Sequence, residues 1–488
     1  MAIEVIGKSN YTKQVLALIA KIYDNTVVAD SIYEQAIQCF SADEHKNKRQ
    51  VGLEQQVQLF ASRLAQGTTG DSASFERQYH QAKLELKEFN QQLAEEGFQR
   101  FSNLKQICIT ILQLTRGDTV DETLQLTAKV LGTIQLSSPT EGRNVALTNQ
   151  KSKHLYKAIL SLLLLDKLLF DNNISNEYIL QRAKANAGDY KDFDSYHPFR
   201  DDIQIPLLMA AILQDIGSCH PEAQKIIYGN DGKADPFRVM NNAERSAMLQ
   251  VSYNQSIKYV IDHLQDSYQG NSKAERDIFI EQSQQRKLFM QQLLKGSIKA
   301  ESGIGNLLKI PQVYTSVVLS TKPNFIYETL PRVSLVLEKG VEKGVYSHTA
   351  VQSLLAITGI FPQGFGVTYI PKDSDGQDLD RYEYAIVTGL YPKNLQEPIC
   401  RMVTRNLTYN VSAQGCIISV GNNLYYPAAR KKLAIISQER LLEIFKLLVS
   451  NYEERKNKSL LPKCWHPDEY FSFVKNQNLW NKVVMHRN

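Results

Sequence analysis

The hydrophobic period of this chain changes near Gly359. Upstream, apolar residues recur at helical spacing, as in Val15, Leu16, Leu18, Ile19 and Ile22, and again in Val57, Leu59, Phe60 and Leu64. Downstream, short segments alternate and are rich in Val, Ile, Tyr and Thr: 361–370, Tyr382–Leu390, Pro398–Arg405 and Ala413–Val420. The pattern predicts a mainly α protein: an N-terminal helical bundle over 1–140, a second helical domain over 141–358, a small antiparallel β unit over 359–432, and a terminal helix (Ser437–Arg455) with its tail over 433–488. Ser137-Ser-Pro-Thr-Glu-Gly142 has the composition of a linker between the first two.

Within the helical part, Gln66–Ala73 reads as a loop. Phe75–Phe98 reads as a charged amphipathic helix, and Asn103–Thr115 and Glu122–Val130 continue the bundle. The apolar run Leu160–Leu165 is too short and too close to Asp166 and Lys167 to span a bilayer, and is expected to be a buried helix. The polar stretch Asn186–Asp202 interrupts the second domain. Asn241-Asn-Ala-Glu244 has the form of a capping box opening a helix over Ala243–Leu264, and a long helix is expected over Lys273–Leu294.

At 488 residues the chain is too long for one ordinary core. Its net charge of +5 suits an anionic ligand but lacks the clustered Lys and Arg of a nucleic-acid binder. The densest basic run, Arg430-Lys431-Lys432, is short and reads as a solvated face. Six scattered cysteines without a C-x-x-C pair fit a reducing cytoplasm, and the first residues lack the apolar core of a signal peptide.

The segment most suggestive of chemistry is Pro206-Leu-Leu-Met-Ala-Ala-Ile-Leu-Gln-Asp-Ile-Gly-Ser218. With Met240–Ser252 and Leu355–Val367, in that order, it resembles the HD-GYP domain, a family of metal-dependent cyclic di-GMP phosphodiesterases, over roughly residues 150–405. The resemblance implies a helical domain with a metal centre at the His-Asp pair. Here Gln214 stands where the histidine belongs, beside a retained Asp215. Val251 falls at the next ligand histidine, and Lys299-Ala300-Glu301 is the best counterpart of the paired histidines and glutamate, with neither histidine. No aspartate occurs in Ser320-Thr321-Lys322, where the last ligand is expected, and His154 matches the histidine that opens the domain.

Such a centre needs several carboxylate and imidazole donors converging on its ions. The expectation is therefore a catalytically inactive, HD-GYP-like regulatory or scaffold protein without a cofactor. It would act in the cytoplasm through a protein partner, a cyclic dinucleotide or both, without nucleic acid and without a membrane span. Two alternatives stay open. One is a working phosphodiesterase with unconventional ligands, in which Asp215 and His154 would hold a divalent metal. The other is an interaction module with no nucleotide. His197, His220, His263 and His466 read as structural, and Ser302-Gly-Ile-Gly305 as a helix-capping turn rather than a phosphate cradle.

Overall fold

The structure is a computed structural model describing residues 6–65, 72–185, 190–409, 414–448, 459–480 and 484–486. The helices, in chain order, are α1 (Asn10–Ile22), α2 (Ile32–Ala65), α3 (Ser72–Thr115), α4 (Val120–Leu136), α5 (Val145–Phe170), α6 (Glu177–Lys184), α7 (Ile205–Leu213), α8 (Pro221–Tyr228), α9 (Asn242–Asp262), α10 (Lys273–Gly296), α11 (Asn306–Val318), α12 (Val333–Glu342) and α13 (His348–Thr358). The strands β1 (Gly366–Tyr369), β2 (Glu383–Val387), β3 (Ile399–Met402), β4 (Thr404–Arg405), β5 (Thr408–Tyr409) and β6 (Gln414–Ile417) follow. Then come α14 (Pro427–Leu433), α15 (Gln438–Leu448), α16 (Asp468–Ser472) and β7 (Val484–His486). The fold is mainly helical with a small sheet, as the period change at Gly359 predicts.

Contacts divide the chain into two compact units. The first comprises 1–20, 109–211 and 292–488; the second comprises 21–108 and 212–291. These divisions fall elsewhere than the four linear segments expected from the sequence.

The first unit is built around α5. Its run Leu160–Leu165 is buried on every face, with the Ser161 hydroxyl donating to the Lys157 carbonyl at 2.9 Å, and such a helix is stable only when covered all round. α11 and α13 pack along it, and α4 adds a further contact. The main sheet has the order β1-β2-β3-β6-β7. β1, β2, β3 and β6 pair antiparallel, whereas β7 adds in parallel beside β6, an addition the alternation did not reveal. β4 and β5 form a hairpin whose turn residues Asn406 and Leu407 both have positive φ, at 51° and 59°.

The expected linker Ser137–Gly142 is not free chain over its first half. Ser138 and Thr140 are buried. The Thr140 amide donates to the Asp468 carboxylate at 2.9 Å, and the Ser138 hydroxyl pairs with Asn149. Small polar residues here satisfy buried partners, a use that composition alone does not distinguish from a tether.

The second unit pairs the long helices α2 and α3 with α8, α9 and α10. The helices expected over Phe75–Phe98 and Asn103–Thr115 are one continuous helix of 44 residues. α9 opens with the predicted capping box, Asn241 accepting from the Glu244 amide and Glu244 accepting from the Asn241 amide. The loop expected at Gln66–Ala73 lies mostly outside the described residues, as does the end of the helix expected beyond Leu448.

Candidate functional site

α7 ends at Leu213, and Ile216–Cys219 form a 3-10 turn. Gln214 and Asp215 sit between the two. Gln214 is 8% exposed, and its side-chain oxygen is buried without a hydrogen-bond partner. Its backbone carbonyl accepts from the Ser256 hydroxyl at 3.1 Å, which in turn accepts from the Gly217 amide at 2.9 Å. Asp215 is half-buried and makes no side-chain cap to the turn. Its charge lies near Tyr33, whose pKa is raised by burial first and by Asp215 second, while the Tyr33 hydroxyl donates to the Ile212 carbonyl at 3.0 Å.

The glycine of Gln-Asp-Ile-Gly explains the local packing. A Cβ on Gly217 would lie 1.9 Å from the Ser252 carbonyl oxygen and 2.7 Å from the Ser256 amide, both backbone atoms of α9. α9 therefore crosses the turn backbone against backbone, and only hydrogen fits at the crossing. Val251 precedes this contact on α9 and offers no donor atom.

The remaining members of the expected centre belong to the other unit. His154 is fully buried on α5, and Glu301 is exposed in the connection between α10 and α11. In the same region Ala300 is buried and bridges Tyr346, and the Ser320 carbonyl accepts from the Asn149 amide group at 2.7 Å. An amide at Gln214, an aliphatic group at Val251 and backbone packed against the turn do not fit the hydrolytic metal centre that the resemblance implies. Among the described residues, no three His, Cys, Asp or Glu side chains group as a metal site.

The histidines have local work. His220 caps α8 by accepting from the Glu222 amide at 3.3 Å, and His197 accepts from the Arg200 amide at 3.3 Å. The Ser302–Gly305 turn is also set by packing, because a Cβ on Gly305 would lie 2.0 Å from the Gly296 carbonyl carbon. It borders a cavity of about 480 Å3 together with Asn176 and Ser347, the caps of α6 and α13. Both cap side chains already accept first-turn amides there, at 3.1 and 3.4 Å.

Sequence reasoning missed a charged cleft of about 530 Å3 in the second unit, assembled from α2, α3 and the end of α9. Lys46 pairs with Glu96, Arg100 lies 3.6 Å from Glu96, and Asp43 is 2.9 Å from Lys258 and 3.5 Å from the His263 ring. The Arg100 side chain also donates to the His263 carbonyl at 3.0 Å. Charges of both signs compensate one another, so the cleft acts as an ion-pair tie between helices. Cys39 at its edge is no activated nucleophile, because burial pushes its thiol above the ordinary value. The signal was present in the sequence only as unpaired polar positions on three helices.

This network sets a pH dependence. Burial is the first cause lowering the His263 pKa below the ordinary 6.5; Asp43 opposes it, and Arg100 and Lys258 add to it. His220 is lowered likewise, by burial first. As pH falls through 6.5, the unfolded chain takes up protons that the folded unit resists, so stability present above that value is lost on acidification. Glu96, held below its ordinary 4.5 by Lys46 against the effect of burial, stays ionised in this window. Thermal melts between pH 7 and pH 5 should show a falling midpoint, and His263→Gln should flatten the slope. An equal slope in the variant would assign the effect elsewhere.

Among the described residues, no helix is long and apolar enough to cross a membrane. No family model, curated protein or solved structure was found to match the chain.

Proposed function

We propose that this chain is a regulatory or scaffold protein of HD-GYP-like ancestry that acts in the cytoplasm by binding rather than by hydrolysis. The observation that carries the reading is the junction of the Gln214–Gly217 turn with α9. There the residue types needed for metal ligation are replaced by an amide and a valine, and the retained glycine serves the helix crossing. A hydrolytic centre of this kind ionises a bridging water through several convergent ligands, and two mismatched positions beside one aspartate fall short of that donor set. A protein partner, a cyclic dinucleotide or both would be its targets.

The test is calorimetric titration of the full chain with cyclic di-GMP, with elemental analysis and a hydrolysis assay on the same preparation. Stoichiometric iron, manganese and zinc are expected to be absent, and cyclic di-GMP is expected to stay intact when divalent metal is added. Gln214→His should restore neither metal binding nor cleavage, since it returns one donor of several. Metal-dependent turnover that disappears in Asp215→Ala would establish the phosphodiesterase with unconventional ligands. Absence of both binding and cleavage would favour the interaction module without nucleotide.

A further inference from the structure

Two short stretches of the sequence, Arg430-Lys431-Lys432 on α14 and Cys464-Trp465-His466 before α16, meet at one cavity of the first unit. Its volume is about 900 Å3, which falls within the ~300–1,000 Å3 of small-molecule sites. Arg430 and Lys431 line it, with apolar walls from Phe325, Tyr327, Phe445 and Trp465. Lys432, the third residue of the run, does not, and instead pairs with Asp378 at 2.6 Å. The basic run is therefore not one solvated face.

The walls are fixed in place. Trp465 stacks on Tyr384 with ring centroids 4.9 Å apart and planes 5° from parallel, and Tyr327 stacks on Phe365 at 5.0 Å. The Arg430 guanidinium is held by the neighbouring backbone, one nitrogen donating to the carbonyls of Leu424 and Tyr425 at 2.5 and 2.8 Å. Of the two carboxylates lining the cavity, Glu328 lies 4.0 Å from Lys463. Among the described residues, neither Arg430 nor Lys431 has a carboxylate partner. Ile326, 56% exposed, adds an apolar side chain to the lining.

A neutral apolar ligand would desolvate Arg430 and Lys431 without pairing them, which is costly. A bare inorganic anion would leave the aromatic walls uncovered and forgo their burial. The complementary ligand carries both features. We propose that this cavity binds a planar aromatic anion, a ring bearing a phosphate or comparable group, with the ring against the Phe325–Trp465 walls and the anion at Arg430 and Lys431.

The experiment is calorimetric titration of the full chain with naphthyl phosphate, beside naphthol and inorganic phosphate. Saturable binding of naphthyl phosphate is expected, with each half-ligand at least about tenfold weaker. Lys431→Glu should weaken naphthyl phosphate by about tenfold or more, and Lys431→Arg should keep it. Lys431 is exposed and, among the described residues, makes no ion pair, so both variants should melt with the parent protein. The proposal falls if naphthyl phosphate does not saturate, if inorganic phosphate binds as tightly, or if folded Lys431→Glu binds it like the parent.

Discussion

Replacing Gly217 by alanine should destabilise the second unit by about 3 kcal/mol or more, through overpacking that cannot relax. The added methyl would meet the Ser252 carbonyl oxygen at 1.9 Å and the Ser256 amide at 2.7 Å. Neither is the far end of a flexible side chain. To make room, α9 would have to back away from the turn, and the Gly217–Ser256–Gln214 hydrogen bonds would stretch together. The readout can be localised, because both tryptophans, Trp465 and Trp480, lie in the first unit. Chemical denaturation followed by helical circular dichroism should show an early loss in Gly217→Ala, while tryptophan emission follows the parent more closely. Asp215→Asn keeps the shape and removes only the charge, so it should shift the dichroism midpoint far less. A Gly217→Ala protein that unfolds with the parent would refute the packing account of this turn.

A loss of comparable size, about 3–5 kcal/mol, is expected from Arg200→Leu in the first unit. Arg200 is 1% exposed. Its guanidinium donates to the carbonyls of Tyr190 and Asp192 at 2.8 and 2.7 Å, to that of Ser195, and to both carboxylate oxygens of Asp201 at 3.2 and 2.8 Å. One planar donor thus satisfies a whole irregular segment, which regular ladders do not serve. Leucine replaces only the apolar stem and leaves three carbonyls and a carboxylate without that donor, and each unsatisfied buried group costs about 1–3 kcal/mol. Here tryptophan emission should report the earlier transition. An unchanged midpoint would mean that water replaces the guanidinium without penalty.

These two positions illustrate what the sequence made legible. Periodicity located the helices and the switch to strands, because burying one face imposes the same spacing wherever it occurs. The capping box at Asn241 and Glu244 was readable because it is local chemistry between residues three apart. Arg200 was not readable, since its partners are backbone carbonyls of an irregular stretch that leaves no residue-type signature. Gly217 stood out in the sequence as part of a catalytic-looking run, yet its role depends on α9, which enters from the far side of a 35-residue separation. The charged cleft around Asp43 and Glu96 and the cavity at Arg430 escaped for the same reason. Each gathers residues distant along the chain, and single-sequence spacing carries no record of such meetings. The parallel strand β7 pairs with β6 across 70 positions, from Gln414 to Val484, and hydrophobic alternation cannot specify a partner.

One hydrogen-bonding residue of the first unit has a bearing on how the chain is made. The Gln477 side chain accepts from the Ser9 amide at 2.8 Å and the Thr12 hydroxyl at 2.9 Å, and donates to the Gly7 carbonyl at 2.7 Å. Ser9 and Gln477 are separated by 468 positions. During synthesis at about 5–20 residues per second, α1 therefore emerges tens of seconds before its glutamine exists. The second unit has all of its residues once Gln291 has left the ribosome, whereas the first unit cannot close until the segment around Gln477 follows. Over that interval α1 already has α4 beside it, with Lys129 3.9 Å from the Tyr11 ring, but the Ser9 amide and Thr12 hydroxyl wait for their glutamine. A nascent chain stalled after Gln291 thus carries every residue of the second unit while the start of α1 still lacks the side chain that fastens it.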